Sequence, residues 1–384
     1  MSYETIAPMS TTMEPETPTT NGEFESEVEY ISFRDLEAEY LKNRDLETEQ
    51  RKCGKLIFRQ GGEEITDLAG YNPTQPIYDT FYDPDSGKPY FILGVRMEKR
   101  NDESNSRIVY FRAATPFSKE WDLIEDEELP EINGQDPSIT KIGGQLLFSA
   151  VEVESVPDES GSASRLEWHT AFYIGKGVAD LERFAEGPLG MKVIRPVEIP
   201  TGQVIIFTRP QNPGNEALGG RGQIGEITAD SIEAIKDPNI LQNAPFINTR
   251  FLPEEWGGIN YAVALKDGRV GVIGHIARLD QDKLAYEGQK DNPKIYCPFS
   301  GIYNPVTRRI ENIKIEAMSD EFKGAVAKNE FVEDVVYTTA MTDPDENGNV
   351  MLIQGVGDAE TWSKEIEDPF AGLRHTNQDY LLAA

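Results

Sequence analysis

The sequence predicts an all-β fold, a five-bladed β-propeller preceded by an acidic N-terminal extension. From Gly54 onward, short runs rich in Val, Ile, Phe and Tyr are separated by Gly, Pro, Asn and Asp, which is typical of strands and turns. Five times the chain shows an apolar strand, a glycine turn and a second apolar strand that ends on a polar residue. These observations divide the chain into an extension at 1–53 and a propeller domain at 54–384.

The extension has two parts. Residues 1–32 carry seven acidic side chains and no basic one, with Pro, Thr and Ser between them. Such a composition buries too little apolar surface to offset the entropy lost on ordering, so we expect a disordered tail. Residues 33–52 contain good helix formers with Leu36 and Tyr40 on one side, which predicts a short helix.

The spacing of the repeats indicates blades. One turn glycine from each repeat gives Gly87, Gly144, Gly202, Gly268 and Gly348, which are 57, 58, 66 and 80 residues apart. Each interval has room for about four strands of five to six residues, the content of one propeller blade. Five such units arranged radially would bury their strand edges. A pair of β-sandwiches is the alternative, because it also gives many short strands.

The charge balance excludes two classes of partner. The chain has 67 acidic residues against 37 Lys and Arg, a formal net charge of −30. Binding to nucleic acid or anionic lipid depends on Lys and Arg. The N-terminal residues lack the features of a secretory signal, and no window has about 18 consecutive apolar residues. We therefore expect a cytoplasmic protein with no nucleic-acid or membrane partner.

Cysteine and histidine usage argues against a metal site. Cys53 and Cys297 are too few for a disulfide framework and are not spaced like zinc ligands. His169, His275 and His375 are far apart, and none lies in an HExxH arrangement. We expect two idle thiols, no structural zinc and no cofactor.

Polar residues recur where the predicted strands end. The inner strands of a propeller converge on a central channel, so polar residues at equivalent places can meet in one pocket. Guanidinium groups bind phosphate through two hydrogen bonds, and a carboxylate can give or take a proton. Taken singly, each residue could be a solvated charge; as a set they indicate a site for a sugar and a phosphate. The set is Tyr71, Asn72, Arg96, Glu98, Gln135, Asp136, Glu152, Arg209, His275 and Asp358.

Two further segments do not match nucleotide-binding or hydrolase motifs. GGRGQIG at 219–225 has neither the P-loop nor the Rossmann spacing, and we expect a loop that brings Arg221 to the pocket. GSASR at 161–165 lies in a polar insertion and forms no G-x-S-x-G elbow. Serine hydrolase chemistry is therefore disfavoured.

Six segments carry a family resemblance. In chain order they are AGYNPTQPIYDTF, ILGVRMEKRNDESNSRIVYF, GQDPSITKIGG, GMKVIRPVEIPTGQVIIFTRPQ with GGRGQIG, EEWGGINYAVALKDGRVGVIGHIA, and VEDVVY with LIQGVGDAET. Over about residues 54–362 the chain resembles the family called domain of unknown function 1861, grouped as glycosyltransferase family 108, which includes trypanosomatid mannogen phosphorylases and mannosyltransferases. DPSIT, FTRP and GHIA also look like degenerate motifs of the five-bladed mannoside phosphorylases of glycoside hydrolase family 130.

The resemblance implies a reaction and a set of roles. The reaction is inverting, reversible phosphorolysis of β-1,2-linked mannosides to mannose 1-phosphate, with inorganic phosphate as co-substrate, or transfer from GDP-mannose in some members. Asp136 would be the general acid that protonates the departing glycosidic oxygen. The residues implied to hold phosphate are Lys192, Arg195, Arg209, Arg221 and His275. Those implied to line the sugar subsites are Asn72, Arg96, Glu98, Trp256, Asn260 and Asp358.

A general acid must stay protonated near neutral pH, so we expect burial to raise the pKa of Asp136. The sequence departs from the related phosphorylases at two places. The acid motif is QDPS, where Glu usually precedes the Asp and Arg follows the Pro, and Val193 stands where an acidic residue is expected.

Two other functions remain open. A β-mannoside hydrolase would need a second carboxylate, from Glu98, Glu152 or Asp358, about 6.5–9.5 Å from Asp136 to activate water. A non-catalytic sugar-binding propeller would bind sugar regardless of Asp136→Asn. Trp256 could be either a platform on which a sugar stacks or a core aromatic residue.

Overall fold

The fold is built mostly from β-strands in several sheets, as a computed structural model shows. The structure describes residues 28–82, 89–100, 102–125, 129–157, 164–210, 222–280, 283 and 292–374. The predicted all-β class is confirmed at this level. Most of the predicted disordered tail, residues 1–27, lies outside the described residues.

The N-terminal segment begins with β1 (Glu29–Ile31), α1 (Phe33–Asn43) and α2 (Leu46–Lys52). The prediction of disorder was wrong for 29–31, because β1 pairs in parallel with Thr249–Phe251. The predicted helix is present but is split in two. Ser32 caps α1 by accepting from the Asp35 amide, and Asp45 caps α2 by accepting from the Thr48 amide.

Three short strands follow and tie this segment to the rest of the chain. They are β2 (Cys53–Lys55), β3 (Ile57–Gln60) and β4 (Glu63–Glu64). β2 pairs antiparallel with Glu360–Glu367 near the C-terminus, and β3 pairs in parallel with Glu120–Leu123. The N-terminal chain therefore adds strands at two places in one large sheet, and the predicted boundary after residue 53 falls inside β2.

The remaining strands form five consecutive antiparallel groups. The first contains β5 (Leu68–Tyr71), β6 (Ile77–Tyr82), β7 (Pro89–Lys99), β8 (Asp102–Ala113), β9 (Glu120–Leu123) and β10 (Ile132–Asn133). The second contains β11 (Gln135–Ile142), β12 (Gln145–Pro157), β13 (Ser164–Gly175) and β14 (Glu182–Glu186). The third contains β15 (Arg195–Glu198), β16 (Val204–Thr208) and β17 (Gly225–Ala229), and is followed by α3 (Pro238–Gln242) and β18 (Thr249–Phe251). The fourth contains β19 (Glu255–Ala264), β20 (Val270–Leu279), β21 (Lys294–Asn304) and β22 (Arg309–Ile315). The fifth contains β23 (Asp334–Met341), β24 (Asn349–Val356) and β25 (Glu360–Glu367), and β2 completes it.

The predicted turn glycines join strands as expected. Gly144, Gly202, Gly268 and Gly348 each lie between the first two strands of a group, with φ of +77°, +84°, +84° and +81°. A positive φ favours glycine because a Cβ would clash with the backbone. The fifth glycine, Gly87, lies outside the described residues.

The first strand of each group departs from regular pairing near its polar residue. Ladder registers shift between Gln135 and Ser138, between Ile259 and Tyr261, and between Thr338 and Ala340. Asn72, Asp136 and Val193 have φ of +49°, +48° and +62° at the corresponding places in the first three groups. Such bulges turn a side chain away from the sheet face. At the bulge of β11, Asp136 meets Asn72 and Arg96 of the first group.

One cavity is lined by all five groups. Its wall includes Gln75 beside β5, Ser138 in β11, Arg195 in β15, Asn260 in β19 and Thr339 in β23. The apolar residues lie between neighbouring groups, as Ile108 of β8 packs in one cluster with Phe148 of β12. The cavity therefore lies where the first strands meet, and the apolar core surrounds it. No helix among the described residues is long and apolar enough to cross a membrane.

Candidate active site

Asp136 lies at the bulge of β11 and is held by two neighbours from the first group. Asn72 Nδ2 donates to Asp136 Oδ1 at 2.9 Å, and Arg96 Nη1 lies 3.4 Å from the same oxygen. The Asp136 side chain is 14% exposed. The carboxylate is thus oriented from one side and remains slightly exposed.

Glu98 holds Arg96 in place. Its side chain is fully buried, and Arg96 Nη2 donates to Glu98 Oε2 at 2.8 Å. Tyr71 and Lys328 donate to Oε1 at 2.7 and 2.9 Å, and Ser106 donates to Oε2. With both oxygens occupied, Glu98 positions Arg96 and has no oxygen free for a sugar, in contrast to its predicted place in a sugar subsite.

The ionisation of Asp136 differs from the prediction. Burial by itself raises the pKa of Asp136, but Arg96, Lys192, the Asn72 amide and Arg195 together outweigh it. Its pKa therefore lies below the ordinary aspartate value, and the free protein carries an ionised Asp136 at neutral pH. The expectation of a raised pKa was wrong because it counted burial and not the surrounding cations.

Two predicted phosphate ligands, Lys192 and Arg195, act on this carboxylate, and a third, Arg209, lies with Arg195 near His275. Lys192 Nζ donates to Gln135 Oε1 at 3.2 Å, beside Asp136 in sequence. Arg195 is 6% exposed, and its Nε donates to the Asn260 carbonyl at 2.8 Å. Arg209 Nε is buried without a hydrogen-bond partner. In the part of the chain that the structure describes, neither arginine forms an ion pair with a carboxylate.

His275 is fully buried, and its hydrogen bonds fix its tautomer. Asn260 Nδ2 donates to the Thr338 carbonyl at 2.8 Å, so Asn260 Oδ1 must be the atom that faces His275 Nδ1, also at 2.8 Å. Oδ1 can only accept, so Nδ1 carries the proton. Burial, then Arg209 and Arg195, hold the pKa of His275 well below its ordinary value. His275 is therefore neutral. Its grouping with the basic residues in the sequence analysis had implied a cation instead.

Trp256 is a supporting aromatic residue. It is 1% exposed, and its Nε1 donates to the Tyr296 hydroxyl at 2.9 Å. The Tyr296 ring stacks on His275, with the ring centroids 5.4 Å apart. Of the two alternatives, burial favours the core role, because the indole has no free face for a sugar.

The other carboxylates differ in position. Asp358 follows β24 with φ of +50° and lies close enough to Arg96 to raise the pKa of that arginine. Glu152 pairs instead with Arg183 at 2.6 Å and with the Tyr173 hydroxyl, and has no contact with Asp136. Asp358 is thus brought to the site, and Glu152 is not.

The structure adds residues that the sequence analysis missed, and leaves one untested. The Tyr337 hydroxyl and both ends of the Gln354 amide are buried without partners among the described residues. Gln354 stands out in the sequence as a polar residue within the apolar run MLIQGV, a signal that could have identified it. Arg221 lies outside the described residues. In the described ranges, no group of His, Cys, Asp and Glu is arranged to hold a metal ion.

Comparison with solved structures shows the same fold in Leishmania proteins. A GDP-mannose-dependent mannosyltransferase from Leishmania mexicana aligns with a TM-score of 0.71 and 24% identity, over 90% of this chain and 98% of that one. A mannose phosphorylase from the same organism, in complex with phosphate, aligns with a TM-score of 0.70 and 23% identity, over 88% and 93%. A hypothetical protein from Leishmania major gives a TM-score of 0.66 and 22% identity, over 88% and 96%.

A comparison with curated proteins gave no match. The family model described as "Protein of unknown function (DUF1861)" matches residues 68–372, most of the chain and nearly the range of the six segments. The family resemblance predicted from those segments is therefore confirmed, and the chain belongs to the DUF1861 family.

Proposed function

We propose that this protein is a carbohydrate-active enzyme that transfers a mannosyl group reversibly between phosphate and a mannoside. One observation carries the proposal. In a chain of net charge −30, two buried or half-buried arginines, Arg195 and Arg209, form no direct ion pair among the described residues, and the charge of Asp136 acts on Arg195 without a direct contact. Uncompensated buried cations are costly unless an anion joins them. The arrangement therefore suits an anionic co-substrate.

The architecture we propose is a five-bladed propeller, with the five strand groups as its blades. The cavity lined by all five groups supports this arrangement, as do the parallel contacts between neighbouring groups, such as Glu360 with Gly70. The pairing of β2 with β25 supports it further, because a strand from the N-terminus completes the last group. Such closure would join the two ends of the chain in one blade.

In the proposed phosphorolysis, a phosphate oxygen attacks the anomeric carbon of the mannoside. The bond from that carbon to the glycosidic oxygen breaks, and the proton of Asp136 passes to the departing oxygen directly or through a sugar hydroxyl. Lys192, Arg195 and Arg209 hold the phosphate and offset its charge. Because phosphate is the nucleophile, no second carboxylate is needed to activate water.

In the synthetic direction the roles reverse. The ionised Asp136 takes the proton from the acceptor hydroxyl, which then attacks mannose 1-phosphate. The lowered pKa of Asp136 suits this direction in the free enzyme. In the phosphorolytic direction, bound phosphate would offset the cations that lower this pKa, so Asp136 would take up a proton when phosphate binds.

A mannosyltransferase that uses GDP-mannose is the second candidate. It is supported by the likeness to the L. mexicana GDP-mannose-dependent enzyme, whose TM-score of 0.71 stands beside 0.70 for the mannose phosphorylase. Arg195 and Arg209 would then hold the diphosphate. The β-1,2 linkage of the mannoside product belongs to the proposal in both cases.

Hydrolysis has less support from the geometry. Glu98 has both oxygens occupied, and Glu152 lies in a separate ion pair with Arg183. Only Asp358 of the three predicted candidates remains near Arg96 to activate water. The non-catalytic alternative predicts sugar binding that is indifferent to Asp136→Asn.

The test is phosphate release from mannose 1-phosphate in the presence of mannose or a short β-1,2-mannoside. We expect release by the wild type, and a loss of about 10²- to 10⁴-fold in Asp136→Asn. Asp267→Asn is the matched control, because Asp267 pairs with Arg269 in a surface turn and should keep full activity. If phosphate is not released but GDP-mannose is consumed, the GDP-mannose-dependent transferase is the correct function. Equal activity in the wild type and Asp136→Asn would refute the role of Asp136 as general acid.

A further inference from the structure

His275 presents an unprotonated nitrogen to the site. Since the chain of hydrogen bonds from Thr338 through Asn260 places the His275 proton on Nδ1, Nε2 of the neutral ring has a lone pair and no hydrogen. This Nε2 is buried without a hydrogen-bond partner. It can therefore accept a hydrogen bond but cannot give one.

The reversed assignment is excluded by the same atoms. If Nδ1 of His275 were the acceptor, Asn260 would have to turn its Nδ2 toward the ring. Asn260 Oδ1 would then face the Thr338 carbonyl oxygen at 2.8 Å, and two acceptors at that distance repel each other. Both Asn260 and His275 are essentially fully buried, so no solvent could relieve the conflict.

The His275 ring cannot escape by turning over. One face stacks on Tyr296 at a ring-centroid distance of 5.4 Å and an interplanar angle of 14°, and the ring also contacts Tyr337 at 5.2 Å. A flip of the ring about χ2 would move Nδ1 away from Asn260 and leave a buried amide oxygen unpaired. The orientation is thus held by packing and by the hydrogen bond together.

The acceptor lies next to the unpaired cations. A Cβ built on Gly258 would lie 3.2 Å from Arg209 Cδ and 3.4 Å from His275 Cε1, so both side chains border the same point. Arg209 and Arg195 are also the two charges that act on His275. An anion held by these arginines would meet the lone pair of Nε2.

From this geometry we infer that His275 selects a protonated oxyanion, hydrogen phosphate, over an unprotonated one of the same shape, sulfate. This inference rests on the proposed phosphate site and assigns the selectivity within it. At neutral pH phosphate keeps at least one hydroxyl, which can donate to Nε2 while its other oxygens accept from Arg195 and Arg209. Sulfate has no hydroxyl at that pH, so an anionic oxygen would face the lone pair.

The experiment measures binding of phosphate and of sulfate to the full chain by calorimetry at pH 7, in the absence of sugar. We expect sulfate to bind about 10- to 100-fold more weakly than phosphate, because a buried acceptor is left without a donor. In His275→Gln the side-chain amide can present an N–H, so the selectivity should fall to within about threefold. His169→Gln is the matched control, because it makes the same change at a histidine that pairs with Glu152 outside the site and should leave the selectivity in place.

Nitrogen NMR of protein labelled at histidine gives a second measurement that does not depend on a variant. We expect one protonated and one acceptor nitrogen for His275, both before and after phosphate is added. A doubly protonated ring in the phosphate complex would overturn the inference. Equal binding of the two anions would also overturn it while leaving the phosphate site intact. The absence of phosphate binding would refute the proposed function itself.

Discussion

Replacing Glu98 by Gln tests whether the buried network behind Asp136 holds the site together. Glu98 is fully buried and accepts from four side chains, including Arg96 and Lys328, whose side chains are only 7% and 10% exposed. Gln keeps the size of the side chain but removes the charge and one acceptor. Two buried cations then lose their common partner.

The expected loss follows from that burial. Removing one partner of a buried ion pair costs about 3–5 kcal/mol, and the oxygen that Gln retains places the loss near the lower end, about 3 kcal/mol. Glu152→Gln is the matched control. It makes the same change on the second strand of the next group, but Arg183 is 39% exposed, so about 0–1 kcal/mol is expected.

Urea unfolding at neutral pH measures both losses. With a slope of about 3 kcal/mol per molar urea, Glu98→Gln should lower the midpoint by about 1 M, and Glu152→Gln by less than about 0.3 M. Equal shifts in the two variants would refute the network's role, and so would a shift in Glu98→Gln below that of the control.

The pH dependence supplies a further check on Glu98. Burial raises its pKa, but Arg96 and the hydrogen bonds from Ser106, Lys328 and Tyr71 outweigh this, so the folded-state pKa is lowered. A lowered pKa stabilises the fold above the unfolded value of about 4.3, and this contribution is lost as the pH falls through the folded value. The difference between wild type and Glu98→Gln should therefore narrow below about pH 4.

Two further predictions concern Asp136. A Cβ at Gly355 would overlap Oδ1 of Asn72. Gly355→Ala should therefore displace the amide that orients Asp136 and lower kcat by about tenfold or more. The control is Gly348→Ala, which has open space at its Cβ and should lower stability without this effect on kcat. Because Asp136 is ionised in the free protein, its side-chain carboxyl carbon resonance, assigned by its loss in Asp136→Asn, should keep the shift of an ionised group as the pH falls toward about 3.9, and a titration centred near pH 6 would contradict the lowered pKa.

The sequence predicted the positions of the repeated strand pairs better than the contacts of the site residues. Glycine turns and apolar alternation are local signals, and Gly144, Gly202, Gly268 and Gly348 all lie in the turns expected of them. Asp136 was predicted from the short motif QDPS and the family resemblance, and its role stays a prediction. The departure QDPS has a structural counterpart, since Gln135 accepts from Lys192 and thereby places a cation beside Asp136.

The missed features depend on what other strands contribute. Tyr337 lies in VVYTTAM, where tyrosine is typical of an ordinary strand, so its buried hydroxyl could not be distinguished from a core aromatic. Lys328 lies in a loop far from Glu98 in sequence, and nothing local indicates the contact. The ionisation of Asp136 follows from the sum of cations supplied by several groups, which no single motif records.

The protonation states of Asp136 and His275 together indicate the source of the proton that phosphorolysis requires. Free Asp136 is ionised, so it cannot arrive at the reaction with the proton that the leaving oxygen needs. His275 is neutral, and its only site-facing nitrogen accepts, so it cannot supply one either. The remaining source of the proton within the proposed reaction is phosphate. It enters as hydrogen phosphate and would lie near two acceptors, Asp136 and His275 Nε2, with cationic side chains around them. In that case kcat/KM for phosphate, measured in phosphorolysis, should decline as the pH rises through the second ionisation of phosphate. The kcat/KM for mannose 1-phosphate, measured in synthesis, should not decline over that range. Parallel pH profiles in the two directions would place the proton on the enzyme instead.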